Sequence, residues 1–252
     1  MDLLLASATH RSGSTLLQRM FNARKETLIW GENGGCLSAF CNIYRQALYY
    51  AEHSKDARGK YFNNGEDPNH WIATMTPPQK SVTESLIHSV KIFHERLYKG
   101  RYGETHDLIG YKEVRYGYDE LTLFRICYPK APIILLVRNP VDVWKSVSQN
   151  AKVNRYQSVK KFASMWNHRV KSFIHLSDTD SNIYLIRYED LIRKNKATMN
   201  VIKQVGKITD DQIEKVLSVK ISSSVRPIPA GQEHQIRRQC QVMSNKMGYR
   251  HG

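Results

Sequence analysis

Five short apolar segments, separated by helical stretches, constrain the fold of this chain more than any other feature. They cover residues 2–7, 27–30, 107–112, 132–137 and 182–187. Their length and continuous hydrophobicity are typical of strands buried in a parallel sheet. Amphipathic patterns, with apolar residues spaced by three and four, lie between them. The alternation predicts an α/β fold, with a P-loop-like doubly wound parallel sheet flanked by helices.

The chain is long enough for one large hydrophobic core. It has 252 residues, of which 41% are hydrophobic, and this suits a single domain. We therefore predict one domain over residues 1–252, with a helical insertion at 36–105 and an irregular basic tail at 219–252. The segment 54–71 is polar and rich in turn-forming residues, which favours an insertion or mobile loop.

The charge balance favours anionic partners without choosing among them. Lysine and arginine number 38 against 23 aspartate and glutamate residues, which gives a net charge of +15. Nucleic acid, an acidic polymer, an anionic cofactor or simple solubility would each fit such a charge. No basic run is interleaved with aromatic residues, and this argues against a nucleic-acid binder.

Several sequence features predict a cytoplasmic protein without a metal or a membrane partner. No hydrophobic run approaches the roughly 20 residues that span a bilayer, and "MDLLLASA" is too short for a signal peptide. No HExxH pattern or Cys/His spacing typical of metal ligands occurs. The cysteines form no CxxC pair, which favours free thiols in a reducing compartment. They are Cys36, Cys41, Cys127 and Cys240.

The segment "ATHRSGSTLLQRMF", residues 8–21, reads as a tight polar turn followed by an amphipathic helix. It resembles the P-loop pattern GxxxxGK[ST], but Ser14 stands where the lysine would be. Backbone N–H groups at the start of the helix could converge on an anion, which the helix dipole would also favour. Arg11 could add a bidentate clamp. The candidate anion-binding residues of this loop are Arg11, Ser12, Gly13, Ser14, Thr15 and Leu16, although an ordinary capped helix is the alternative.

A second candidate anion-binding group follows the fourth apolar segment. That segment ends at Arg138, where a nucleoside triphosphatase would typically have a metal-binding aspartate. Asn139 and Pro140 are suited to the N-cap and the first position of a helix, and Ser146 would lie about two turns further on. Arg138 and Ser146 could bind a phosphate, and the alternative is a surface arginine with an incidental serine.

Two separate anion-binding groups, with neither a P-loop lysine nor a metal-binding aspartate, argue against ATP hydrolysis. They predict a nucleotide that carries two separate phosphate groups and needs no metal.

Three motifs in order resemble those of sulfotransferases that use 3′-phosphoadenosine 5′-phosphosulfate (PAPS). "RSGST" (11–15) and "VRNPVDVWKSV" (137–147) are similar to the two cofactor signatures, and "RYEDL" (187–191) is similar to a further family motif. The resemblance covers roughly residues 2–191. The layout is closest to the protein-tyrosine and related bacterial sulfotransferases, which carry arginine in the first loop. It implies that the first signature binds the 5′-phosphosulfate and the second the 3′-phosphate.

The resemblance also implies roles for individual residues. Glu32, in the glycine-rich "WGENGG" after the second strand, corresponds to the general base, and a strand-end carboxylate is suited to accept a hydroxyl proton. A solvent-exposed loop acid is the alternative for Glu32. Lys112 and Arg11 would stabilise charge on the departing phosphate, although Lys112 could instead be a solvated strand-end residue. Further cofactor contacts implied by the family are Tyr188, Ser224 and either Arg237 or Arg238.

These observations predict a sulfotransferase that moves a sulfuryl group from PAPS to a hydroxyl of a small or specialised-metabolite acceptor, with an amine as the alternative acceptor group. The product would be 3′-phosphoadenosine 5′-phosphate (PAP). A P-loop small-molecule kinase and a non-catalytic anion or nucleic-acid binder are the alternatives. Asn150 stands where the tyrosine enzymes have a basic 3′-phosphate ligand, and their membrane anchor is missing. Both departures argue against a tyrosine-peptide acceptor, and the sequence leaves the acceptor and the oligomeric state open.

Overall fold

The computed structural model contains a five-stranded sheet in which every neighbouring pair of strands is parallel. It describes residues 1–147, 149–219 and 226–249, without the side chain of Asn150. The strand order is β2-β3-β1-β4-β5, so the predicted doubly wound α/β fold and all five predicted strands are confirmed. The strands are β1 (Leu3–Ser7), β2 (Thr27–Trp30), β3 (Leu108–Glu113), β4 (Ile133–Val137) and β5 (Ile183–Arg187).

Helices connect the strands and cover both faces of the sheet. A π-helical turn follows the fourth helix at Glu95–Lys99 and another follows the seventh at Lys152–Tyr156. The helices are α1 (Ser14–Phe21), α2 (Cys36–His53), α3 (Lys55–Asn63), α4 (Gln79–His94), α5 (Tyr118–Cys127), α6 (Pro140–Ser146), α7 (Gln149–Ala151), α8 (Val159–Thr179), α9 (Tyr188–Ile192), α10 (Lys196–Gly206), α11 (Asp210–Leu217) and α12 (Ala230–Lys246).

Strand β1 forms the centre of the core because it pairs with β3 on one side and β4 on the other. Successive side chains of a strand point to opposite faces. Leu4 accordingly belongs to the apolar cluster on one face, whereas Leu3 and Leu5 belong to the cluster on the other. All five residues of β1 are buried, which explains its continuous hydrophobicity. The carboxyl ends of the parallel strands meet at one edge, where the candidate residues lie.

The insertion between β2 and β3 is helical, as predicted, but its polar part is more ordered than the sequence suggested. Residues 54–71 were expected to form an insertion or a mobile loop, whereas Lys55–Asn63 form α3. The guanidinium of Arg58 holds this helix by donating to the carbonyls of Ala51 and Thr76, both at 2.9 Å. The helix buries no side chain of its own, so it leaves no hydrophobic pattern in the sequence.

The prediction of an irregular tail is wrong for residues 230–246, which form the 17-residue helix α12. This helix packs against α8 and α6. Its buried residues are Ile236, Cys240 and Ser244, one turn apart. Because one member of this narrow stripe is a serine, the helical pattern is weak in the sequence. Ser224 lies outside the described residues.

The structure bears on the predicted free thiols and on the search for a membrane-spanning helix. All four cysteines are free, which agrees with the predicted thiols. In the described parts of the chain, no helix combines the length and the hydrophobicity needed to cross a membrane. The cytoplasmic location stays a prediction.

Candidate active site

A cavity of about 1020 Å³ opens at the carboxyl edge of the sheet. It is lined by the loop after β1, the loop after β2, the end of β4 and helices α9 and α11. The structure therefore brings most of the predicted site residues together. Those that line the cavity are Arg11, Gly13, Ser14, Thr15, Leu16, Glu32, Arg138, Ser146 and Tyr188.

The loop after β1 presents backbone donors to this cavity. In the described part of the chain, no acceptor is recorded for the N–H groups from Ser12 to Thr15. The N–H of Leu16 donates to the carbonyl of Gly13 (2.9 Å), so this amide already has a partner within the turn, and the predicted contact of Leu16 with an anion stays a prediction. The Ser12 side chain is buried and donates to the carbonyl of Thr9 (2.8 Å). Ser12 itself does not line the cavity, and its hydroxyl stabilises the turn.

Gly13 is required by its conformation and by the close approach of Tyr188. Its φ of 90° lies in the left-handed region that favours glycine. A Cβ atom at this position would stand 2.2 Å from a ring carbon of Tyr188. Gly13, a candidate anion-binding residue from the sequence, therefore also makes room for this aromatic ring.

The two candidate anion-binding groups are joined by hydrogen bonds. Arg138 donates to the carbonyl of Arg11 (3.0 Å), and Arg11 donates through Nε to the carbonyl of Ser146 (3.2 Å). The Arg138 guanidinium lies over the Tyr188 ring, 4.5 Å from its centroid. The strand-end arginine and the first loop therefore share one wall of the cavity, as expected for residues at neighbouring strand ends.

The start of α6 matches the sequence signals. The Asn139 side chain accepts a hydrogen bond from the N–H of Val141 (2.9 Å), and Pro140 is the first helical residue. The helix ends at Ser146, which is 4% exposed and donates its hydroxyl proton to the carbonyl of Val143 (2.8 Å). The oxygen of Ser146 can still accept a hydrogen bond, whereas its proton is already used.

Glu32 is held between two cations. Its carboxylate accepts from the ammonium of Lys112 (2.6 Å) and from the guanidinium of Arg115 (2.9 Å). Burial raises the pKa of Glu32, but the hydrogen bond and charge of Lys112, with smaller effects of His10 and Arg115, outweigh it and lower the pKa. The carboxylate is therefore ionised at neutral pH.

Lys112 does not line the cavity, although its role was predicted to be a contact with the leaving group. It lies on β3, is 6% exposed, and its ammonium is directed to Glu32. Strand pairing places Lys112 beside Leu5 of β1. Arg237 binds Glu233 on its own helix (2.6 Å), and neither Arg237 nor Arg238 lines the cavity.

Sequence reasoning missed two charged residues that organise the Glu32 loop. Glu113 is fully buried and accepts from the N–H groups of Gly35 (2.9 Å) and Val114 (2.7 Å). Arg115 bridges the carboxylates of Glu113 (2.5 Å) and Glu32. The signal was present in "KEVR" at the end of β3, because ligand-binding residues of such sheets follow the strand ends.

His10 is a neutral neighbour of Glu32 in the same cavity. Its Nδ1 atom lies 4.0 Å from a Glu32 carboxylate oxygen. Burial, with the positive charge of Arg155 as the next cause, lowers the pKa of His10 to about 4. An imidazole that is uncharged at neutral pH can accept a hydrogen bond or a proton.

The structure has a parallel α/β sheet with a cavity at its carboxyl edge, and comparison with known proteins gives the family. The model of the sulfotransferase family matches residues 7–206. The chain belongs to this family and is an enzyme that transfers sulfuryl groups. No curated protein sequence matches it significantly.

Solved structures of bacterial sulfotransferases have a similar fold. The sulfotransferase domain from the curacin biosynthetic pathway is 16% identical, with a TM-score of 0.55, and the match covers 100% of this chain and 98% of that one. The sulfotransferase STF1 from Mycobacterium tuberculosis is 13% identical over 96% of this chain and 76% of that one, with a TM-score of 0.50. A sulfotransferase from Alicyclobacillus acidocaldarius is 12% identical, covers 98% and 93%, and has a TM-score of 0.50.

Proposed function

We propose that the enzyme transfers the sulfuryl group of PAPS to a hydroxyl of a small acceptor, with Glu32 as the general base. The observation that carries the proposal is the pairing of two anion-binding groups on one cavity wall through Arg11 and Arg138. The donor has one phosphate in its phosphosulfate and another on the 3′-oxygen, which gives it two separate anions to bind.

The residues at the cavity fit such a donor. The N–H groups of Gly13, Ser14 and Thr15, at the positive end of α1, would bind the 5′-phosphosulfate. Arg138 would bind the 3′-phosphate by charge-assisted hydrogen bonds, and the oxygen of Ser146 would accept from a nearby donor group. Tyr188 lies against both Gly13 and Arg138, so it would fix the distance between the two phosphate sites.

The donor supplies an activated sulfuryl group. The residues of this chain would accept the proton of the acceptor and stabilise the negative charge that develops on the leaving phosphate. Glu32 would accept the proton of the acceptor hydroxyl, because its ionised carboxylate faces the cavity. Lys112 and Arg115 would hold that carboxylate in place. Arg11 and the loop amides would stabilise negative charge on the leaving phosphate. A contact of Lys112 with the leaving group would require its ammonium to move from Glu32.

The acceptor would bind beside Glu32 and His10. Val114 and Tyr156 also line the cavity, and a partly apolar wall of this kind suits a small organic molecule more than a peptide backbone. The cavity of about 1020 Å³ has room for the donor and a small acceptor together.

A transfer assay tests the proposal. Sulfur-labelled PAPS would be incubated with phenol, alcohol and amine acceptors in the presence of a metal chelator. We expect the label to appear in a sulfate ester, with PAP released in equal amount. Transfer only to amines would contradict the role of a hydroxyl acceptor, and a strict metal requirement would contradict the proposed donor site.

A further inference from the structure

Glu189 contacts the second anion-binding group without lining the cavity. One of its carboxylate oxygens accepts a hydrogen bond from the backbone N–H of Asn139 (3.0 Å), the residue directly after Arg138. The other oxygen accepts from the hydroxyl of Tyr249 (3.0 Å). Both oxygens of Glu189 therefore bind segments that are distant in the sequence, and the proposed reaction assigns no role to either contact.

The bond to Asn139 fixes the peptide that follows Arg138. Asn139 is the N-cap of α6, and the amides at a helix start have no partner within the helix. Glu189 supplies that partner. The neighbouring Tyr188 lies over the guanidinium of Arg138. Two consecutive residues of α9 thus hold the backbone and the side chain at the end of β4.

Tyr249 reaches Glu189 because the C-terminal residues return to β5. Arg187 donates to the carbonyl of Met247 (3.1 Å) and forms two hydrogen bonds of 2.7 Å with Asp190. Tyr249 is buried. Burial, followed by the charge of Glu189, raises the pKa of Tyr249, so its hydroxyl keeps the proton that it donates.

We propose that Glu189 and Tyr249 are positioning residues that hold Arg138 in place for the 3′-phosphate of the donor. The inference rests on the proposed function, in which Arg138 binds that phosphate. Glu189 and Tyr249 are absent from the cavity lining, so their effect on a bound nucleotide passes through Arg138. Residues 247–249, after α12, then support the donor site without lining it.

Calorimetric titration with PAP and with AMP, which lacks the 3′-phosphate, tests this role. Glu189→Ala should raise the Kd of PAP about 3- to 10-fold, the range expected for losing one hydrogen bond. The Kd of AMP should change less than about 2-fold, because its phosphate would bind the first loop. An equal loss for both nucleotides would mean that Glu189 only stabilises the fold, and would overturn the inference.

Conservative variants provide a matched comparison. Glu189→Gln keeps an oxygen that can accept from Asn139, so it should retain most of the PAP affinity. Tyr249→Phe keeps the ring and removes one donor, so we expect a smaller selective loss than in Glu189→Ala. Asp180→Asn breaks an ion pair with Arg125 (2.7 Å) at the opposite end of β5, and it should leave both Kd values unchanged. If neither Glu189→Ala nor Tyr249→Phe weakened PAP binding selectively, the positioning role would be contradicted.

Arg138→Ala separates this inference from the function on which it rests. If that substitution weakens PAP no more than AMP, the proposed 3′-phosphate site is wrong. If it weakens PAP selectively and Glu189→Ala does not, the site stands and the positioning role fails. In an Arg138→Ala background, Glu189→Ala should cause no further loss of PAP affinity, because coupled residues are not additive. A full additional loss would show that Glu189 acts by another route.

Discussion

The positions of the charged side chains at this site depend on one another. Glu32 accepts from Lys112 and Arg115, and Arg115 also contacts the buried Glu113. The sequence predicted Glu32 and Lys112 from the strand-end rule and a family resemblance. It could not predict that the lysine binds the glutamate, because the direction of a side chain depends on neighbouring strands that are distant in sequence.

Replacing Glu32 by glutamine tests its role as the base. Glu32→Gln keeps the shape of the side chain and removes its capacity to take a proton. Turnover with an alcohol acceptor should fall about 10²- to 10⁴-fold, the usual contribution of a general base. The fall should be smaller with a phenol, which is more acidic. Steady-state rates with both acceptors and a PAP titration provide the measurement, and PAP affinity should stay nearly constant.

The control for this variant is Glu26→Gln, at the amino end of β2, where Glu26 pairs with Arg24 (3.5 Å). It should leave the rate unchanged, because the cavity lies at the carboxyl end of the strand. Undiminished turnover of Glu32→Gln on an alcohol would show that the base lies elsewhere. His10 would then be the next candidate, as a neutral imidazole in the same cavity.

Strands and helices could be predicted from the sequence where their hydrophobic or capping pattern is regular. The five strands are short, apolar and buried, and Asn139 with Pro140 marks the start of α6. Helix α12 was missed because its buried stripe is narrow and includes a serine. The first loop was predicted to be an anion-binding turn, and this stays a prediction. Its packing against α9 could not be predicted, because it depends on Tyr188, which lies 175 residues after Gly13 in the chain.

The contact between the first loop and α9 gives a prediction about stability. Gly13 and Gly34 both have φ in the left-handed region, at 90° and 75°. A Cβ at Gly34 meets no atom within 4 Å, whereas one at Gly13 would overlap the Tyr188 ring. Gly34→Ala should therefore cost about 1–2 kcal/mol of unfolding free energy from backbone conformation alone.

Gly13→Ala should cost more than Gly34→Ala, because the conformational cost is joined by displacement of the Tyr188 ring. Urea unfolding of the two variants measures the difference, and a PAP titration of the Gly13 variant should show weakened binding. Equal stability losses in the two variants would mean that the Tyr188 ring moves away without cost.

At the scale of the whole molecule, the core contains a buried histidine that does not line the cavity. His94 is fully buried at the end of α4, and its Nδ1 atom lies 3.1 Å from the hydroxyl of Tyr128. Burial, with a further effect of the N-terminal ammonium, lowers the pKa of His94 to about 3. The core therefore contains an uncharged imidazole whose protonation opposes folding.

The single-domain organisation of the chain stays a prediction.

The stability of the protein should fall in mild acid. Because the folded pKa of His94 lies below the unfolded value of about 6.5, the unfolded chain binds the proton first. The contribution of the neutral His94 to the free energy of unfolding is complete above about pH 6.5 and is lost progressively as the pH falls towards 3. Between pH 7 and pH 5 this loss amounts to about 2 kcal/mol.

Replacing His94 by leucine should remove this part of the pH dependence. Urea unfolding at pH 7 and pH 5 would show a difference that is smaller by about 2 kcal/mol than in the parent protein. His88 is exposed on the same helix, so His88→Leu should keep the parent pH dependence. An unchanged difference in His94→Leu would show that other groups cause the acid sensitivity.

In the proposed function, the cavity binds a nucleotide that has two separate phosphate groups, and it does so without metal. Calorimetric titration with PAP and with ATP, each with and without Mg²⁺, tests it most directly. We expect PAP to bind equally well with and without Mg²⁺. We also expect PAP to bind about 10- to 150-fold more tightly than ATP, which lacks the 3′-phosphate that Arg138 would bind by charge-assisted hydrogen bonds. Equal affinity for the two nucleotides, or binding of PAP only with Mg²⁺, would contradict it.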